Sequence, residues 1–186
     1  WRILFVNDGS TDGGRTKAAL QKAVETDNRI ACISLKRNRG QQEGIFIGFK
    51  KTLQTVPASK MHFFITMDDD LSHPPEIIPR LLAEIRRGRD MVYAVSKRRY
   101  TKRRAVVIGG MLRDLFFQKS LKIPPGVHVG SFRILSSELV EKIVAETPPF
   151  IYISAIAFRY TQNVQHIEYR TVVKEEQQHR TRYSFI

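Results

Sequence analysis

Three consecutive carboxylates, Asp68, Asp69 and Asp70, directly follow the apolar run Phe63-Phe64-Ile65-Thr66-Met67. Like charges gathered at the end of a buried segment repel one another unless a cation meets them. Side chains alternate along an extended chain, which predicts Asp68 and Asp70 on one side and Asp69 on the other. Two converging carboxylates are the oxygen donors that Mg2+ or Mn2+ takes, usually completed by substrate phosphates. The chemistry on offer is neutralisation of a leaving diphosphate. The plain alternative is a solvated acidic turn that caps the next helix, and the position behind a buried strand favours the cation.

A second acidic turn, Asp8-Gly9-Ser10-Thr11-Asp12, follows the apolar run Ile3 to Val6. By itself this is ordinary turn and helix-cap composition. Behind a second buried strand, it would flank the same cleft as the triplet. Asp8 would then accept a hydrogen bond from a base or sugar, while Asp68 and Asp70 hold ribose and metal.

The elements that must position these residues alternate along the chain. Ile3 to Val6 reads as a strand, Thr16 to Val24 as a helix with Ala19, Leu20 and Ala23 on one face, and Arg29 to Leu35 as a second strand. Gly40 to Leu53 is helical in pattern, with Ile45, Phe49 and Leu53 four apart, and Phe63 to Met67 is a strand. Pro74-Pro75-Glu76 starts a helix that turns Ile78, Leu81, Leu82 and Ile85 inward, and Met91 to Val95 is a further strand. Such alternation predicts an α/β fold with a mostly parallel, Rossmann-like sheet, helices on both faces, and ligands beyond the carboxyl ends of the strands.

A chain of 186 residues with 42% hydrophobic composition suits one domain, read here as 1–186. It opens at Trp1 and reads as a piece of a longer protein. The single cysteine, Cys32, lies in an apolar run and is expected to be a core thiol in a reducing compartment. No apolar run approaches the roughly 20 residues that span a bilayer. The net charge of +13 attracts nucleic acid, anionic lipid or phosphorylated substrates alike. Much of it is packed into Lys97, Arg98, Arg99, Lys102, Arg103 and Arg104, followed by the apolar stretch Ala105 to Leu112. This basic and apolar segment, 96–119, is expected to lie at a membrane interface, where each cation near anionic lipid gains roughly 1 kcal/mol. Tyr100 is the sole aromatic inside the basic run, which speaks against a single-stranded nucleic-acid surface, so nucleic acid is not an expected partner.

Three stretches in this order, Val6-Asn7-Asp8-Gly9-Ser10-Thr11-Asp12, Ile65 to Glu76 with its Asp-x-Asp-Leu-x-x-Pro-Pro-Glu pattern, and Gly130-Ser131-Phe132-Arg133-Ile134-Leu135, carry a family resemblance. The chain resembles family 2 glycosyltransferases of GT-A fold, within them the dolichyl-phosphate mannose synthase and bacterial polyprenyl-phosphate glycosyltransferase branch. The resemblance implies inverting transfer of a sugar from a UDP, GDP or dTDP donor to polyprenyl phosphate at the cytoplasmic face of a membrane. It implies nucleotide-sugar contacts from Asp8, Ser10, Asp12, Asp68 and Asp69, and Mg2+ or Mn2+ on Asp68 and Asp70. Asp70 and Arg133 would serve catalysis, with His128 a further candidate from this sequence itself, and Arg99, Arg103, Arg104, Arg133 and Arg182 would serve the acceptor phosphate.

The sequence departs from the family pattern in places. The family's opening strand, with its Pro-x-Tyr-Asn-Glu-like motif, does not precede Trp1 here. Ser72 stands where relatives often carry Gln, Val127-His128-Val129 replaces an acidic residue, and His179 replaces a glycine in the terminal Gly-x-Ser-Lys-Tyr-Ser-like stretch, where Arg182 and Tyr183 match. A phosphate acceptor is already anionic, whereas a sugar hydroxyl needs a base, a role His128 could fill. Transfer to a sugar hydroxyl in polysaccharide synthesis, and an inactive relative that only binds membrane or nucleic acid, stay open as alternatives.

Overall fold

The computed structural model describes residues 1–56, 62–97, 123–148 and 150–170. Among the described residues six strands and five helices follow in the order β1 (Ile3–Asn7), α1 (Arg15–Thr26), β2 (Ile30–Ser34), α2 (Gln41–Leu53), β3 (Phe63–Thr66), α3 (Ile78–Ile85), β4 (Met91–Ser96), β5 (Arg133–Ser136), α4 (Ser137–Ala145), α5 (Ile153–Tyr160) and β6 (Val164–Tyr169). A 3-10 turn over Pro75–Ile77 leads into α3, its proline set where no N–H is needed. Ser136 starts α4 by accepting a hydrogen bond from the Leu139 N–H.

β1 and β2 pair in parallel, Ile3 opposite Ile30 and Asn7 opposite Ser34. A four-stranded sheet runs β3-β5-β4-β6. β4 and β6 are parallel, and β5 lies antiparallel to both β3 and β4. Each strand sends alternate side chains to opposite faces. On one face Phe64, Met91, Tyr93, Leu135 and Val164 meet α2, α4 and α5 through Phe49, Leu139, Val140, Ile143, Ile153 and Ile156. On the other, Val92, Ala94, Ile134 and Tyr169 meet Leu81 and Ile85 of α3. Each aliphatic side chain so buried contributes about 1.5–3 kcal/mol.

Helices therefore cover both faces, as expected, and Ile78, Leu81, Leu82 and Ile85 all pack inward. The reversed β5 departs from the parallel expectation, and its reversal matters. Register sets Arg133 opposite both Thr66 and Tyr93, so the first residue of β5 sits at the end of the sheet where β3 and β4 finish. Among the described residues β1 has a hydrogen-bonded neighbour only in β2, and β3 only in β5.

Cys32 corrects one expectation, since it is exposed rather than in the core. β2 is at the edge of its two-stranded sheet, and Ala31, Cys32 and Ser34 are all exposed. α1 likewise buries none of its residues fully. The basic segment from residue 98 to 122, with Arg99, Arg103 and Arg104, and the terminal stretch with Arg182 lie outside the described residues.

Candidate functional site

The two acidic turns meet at the start of α2. Asp8 closes the loop before the helix, its Oδ1 accepting from the Arg39 N–H and its Oδ2 from the Gly40 N–H, each at 2.7 Å. The next residue, Gln41, donates its Nε2 to Asp68 Oδ1 at 2.5 Å. Residues 39 to 41 thus join the end of β1 to the end of β3, and the positive end of the α2 dipole lies between two carboxylates. Gly9 permits the closeness. At φ +68° a Cβ there would stand 2.5 Å from the Arg37 carbonyl carbon and 2.6 Å from the Asn38 nitrogen.

Asp68 is the centre of a further network. His73 Nδ1 accepts from the Asp68 N–H at 2.8 Å, which places the imidazole proton on Nε2. That Nε2 lies 3.7 Å from Asp68 Oδ2 and 3.5 Å from Ser131 Oγ, and Ser131 Oγ is 3.3 Å from the same carboxylate oxygen. The His73 ring stacks on Phe132, with centroids 4.9 Å apart. Thr66 fixes the far side of the loop by donating its hydroxyl to the Ser131 carbonyl at 2.6 Å.

β3 ends at Thr66, so strand alternation does not set the triplet; a loop does. Leu71 holds φ 64° with its side chain 72% exposed, an unusual backbone state for a branched residue. The bend lets the Ser72 N–H reach back to Asp70 Oδ1 at 2.9 Å. The Ser72 hydroxyl and N–H together hold the Asp70 carboxyl below its ordinary range. Asp70 is therefore ionised at every pH above the ordinary carboxylate value, and its charge is lost only as pH falls through the depressed one. Asp69 is exposed.

Tyr169 connects this cluster to β6. Its hydroxyl donates to the Ser72 carbonyl at 3.3 Å. Burial first, then the charges of Asp68 and Asp70, raise its phenol above the usual value. Beside it opens a shallow cavity of about 330 Å³ lined by Ile77, Arg80, Lys97, Glu168, Tyr169 and Arg170. Lys97, the first residue of the basic run, pairs with Glu168 at 3.2 Å.

Other expected site residues are placed differently. Asp12 turns to α1, its Oδ2 accepting from the Thr16 hydroxyl at 2.6 Å and the Thr16 N–H at 2.8 Å, and these bonds lower its pKa. Asp12 Oδ1 is buried without a partner among the described residues. Ser10 offers an exposed side chain, its N–H held by Asn7 Oδ1. His128 packs edge-on against His166 of β6, centroids 5.0 Å apart. Arg133 is 1% exposed beneath α5, with Nη1 donating to Ser154 Oγ at 2.7 Å, and Tyr93 donating to the same oxygen at 2.9 Å.

Gln41, His73, Tyr169, Tyr93 and Ser154 escaped the sequence reading. His73 carried a signal, standing within the Asp-Asp-Asp-Leu-Ser-His-Pro-Pro stretch; the others reach the site through folding from distant positions. The donor set fits a hard divalent cation. It offers two carboxylates, Asp68 and Asp70, held in a loop by Gln41, Ser131 and Ser72, with no soft ligand at that corner. Among the described residues no group of three or more His, Cys, Asp or Glu gathers, so further ligands would come from substrate oxygens.

Two carboxylate turns, one after β1 of the parallel pair and one after β3 of the mixed four-stranded sheet, are tied to one helix start, an arrangement that defines an α/β ligand-binding domain. The model of glycosyl transferase family 2 matches residues 1–144, and the chain belongs to this family; its architecture is the GT-A type. It is similar to the undecaprenyl-phosphate 4-deoxy-4-formamido-L-arabinose transferases of Salmonella paratyphi B (strain ATCC BAA-1250 / SPB7) and Salmonella newport (strain SL254). Each is 37% identical over 99 residues, covering 53% of this chain and 28% of the relative. The chain thus spans under a third of the length of these curated relatives.

Proposed function

We propose that this chain is the nucleotide-sugar-binding, catalytic portion of a metal-dependent inverting glycosyltransferase that glycosylates polyprenyl phosphate at the cytoplasmic surface of a membrane. The observation that carries the reading is the joining of Asp8 and Asp68 through residues 39 to 41. The names of the similar Salmonella transferases, which specify undecaprenyl phosphate, support the acceptor class. No helix among the described residues is long and apolar enough to cross a membrane.

Asp68 and Asp70 would hold Mg2+ or Mn2+, which when bound supplies positive charge against the donor diphosphate. The chain's own residues do the rest. Gln41 and Ser131 orient Asp68, and Ser72 keeps Asp70 ionised. Asp8 and Ser10 follow β1, Asp69 follows β3, and all three would face the nucleotide. Lys97, Arg80 and Arg170 set a positive rim that draws an anionic acceptor towards the cluster. The acceptor phosphate attacks the anomeric carbon from the side opposite the diphosphate, which inverts it. Such an acceptor carries its charge at neutral pH and needs no base to remove a proton.

Calorimetric titration with UDP-, GDP- and dTDP-sugars, with and without Mn2+, tests the reading directly. The expected outcome is Mn2+-dependent binding of one nucleotide class, lost in Asp70→Ala. Equal binding by wild type and Asp70→Ala would overturn the metal site.

A further inference from the structure

Arg133 carries the full guanidinium charge at 1% exposure. Its Nη1 is engaged by Ser154 Oγ at 2.7 Å, whereas Nε and Nη2 are buried and have no partner among the described residues. Nε–H and Nη2–H are not an arbitrary pair. They form the forked edge of the guanidinium, two parallel donors spaced for two oxygens of one carboxylate or phosphate. A charged edge shut away from water without acceptors is among the costliest arrangements a fold can keep. An oxyanion that takes both donors removes that cost.

Ser154 decides which edge remains free. It sits in the first turn of α5, 1% exposed, and its oxygen accepts from Arg133 on one side and from the Tyr93 hydroxyl on the other. Tyr93 is fully buried in β4, beside Arg133 in the antiparallel register. With Nη1 engaged by Ser154, the Nε/Nη2 edge is the part of the guanidinium left without a partner among the described residues. A serine at this place is small enough for the packed face and still offers lone pairs to both donors.

From this geometry we infer that Ser154, braced by Tyr93, is a positioning residue that presents the Nε/Nη2 fork of Arg133 to a phosphate oxyanion of the substrate. The inference rests on the reading that Arg133 serves the acceptor phosphate. It adds the residues that aim it.

The test uses the full-length protein and isothermal titration with geranyl phosphate, geraniol and UDP, beside Arg133→Ala, Ser154→Ala and Tyr93→Phe. Ser154→Ala is expected to weaken geranyl phosphate binding about tenfold, the size of one lost charge-assisted hydrogen bond, and to leave geraniol and UDP unchanged. Tyr93→Phe keeps the ring and removes only the brace; a smaller loss with the same selectivity is expected, and this variant answers the question should the alanine variant not fold. If Arg133→Ala weakens geranyl phosphate and neither partner variant does, positioning by Ser154 is overturned and the acceptor reading stands. Equal loss for geraniol and geranyl phosphate would assign Ser154 a packing role only and overturn the inference. Loss confined to UDP in all three variants would keep Ser154's role and overturn the acceptor reading, placing the oxyanion on the donor.

Discussion

At Asp8 two demands meet on the same carboxylate. Each oxygen already accepts one backbone N–H from the loop before α2, yet each retains a further lone pair for a ligand. Asp8→Ala therefore removes both hydrogen bonds that close the loop before α2, together with the proposed nucleotide contact. The expected cost is about 1–3 kcal/mol of stability for the lost charge-assisted hydrogen bonds, read as a lowered urea midpoint, accompanied by weaker nucleotide binding. Asp8→Asn, which keeps one acceptor, should recover much of the stability and little of the binding. His166 offers a pH readout. Burial first, then the nearby His128, lower its pKa below the ordinary 6.5, with Glu168 opposing. The folded state thus binds its proton less readily than the unfolded chain, so stability falls as pH drops below about 6.5. Urea midpoints at pH 7.5 and 5.5 should differ in wild type, and His166→Asn should shrink the difference.

Among the elements, α2 does the joining, and two glycines let it. Gly44 and Gly48 face Val6 of β1, where a Cβ would lie 3.7 Å and 3.2 Å from its methyl groups. The opposite side of the helix buries Phe49 edge-on against Phe64 of β3. Gly9 then seats the turn against residues 37 and 38. Gly9→Ala is expected to cost about 1–2 kcal/mol from its positive φ alone, and more because backbone must shift, with loss of nucleotide binding as residues 39 to 41 move; a thermal melt and the same titration check both. This is where legibility in the sequence divides. Period and punctuation fixed β1, β2, β3, β4 and the inward face of α3, since those are local signals. β5 was not legible, because its pairing and its reversed direction depend on partners about 40 and 70 residues earlier. With it went the placement of Arg133 and the recruitment of Ser154. Cys32 misled for the converse reason: an apolar run identifies a strand, and only the sheet order shows whether anything covers it.

For the whole molecule the net charge of +13 sets long-range behaviour. Surface attraction to anionic lipid is screened over about 10 Å at 0.1 M salt. Co-sedimentation with vesicles containing phosphatidylglycerol should fall steeply between about 0.05 and 0.5 M NaCl, and neutral phosphatidylcholine vesicles should retain little protein. The sheet order has a different consequence. Among the described residues β1 and β3 each hydrogen-bond on one side, and Leu4, Phe5, Phe63 and Ile65 are only partly covered. A strand with an unanswered row of amides and carbonyls is a template for any extended segment that reaches it. In a concentrated solution of this chain, the nearest such segment belongs to another molecule. Colloidal behaviour should therefore depend on concentration, with light scattering rising at micromolar protein, and a lysine placed at Phe5 should suppress it.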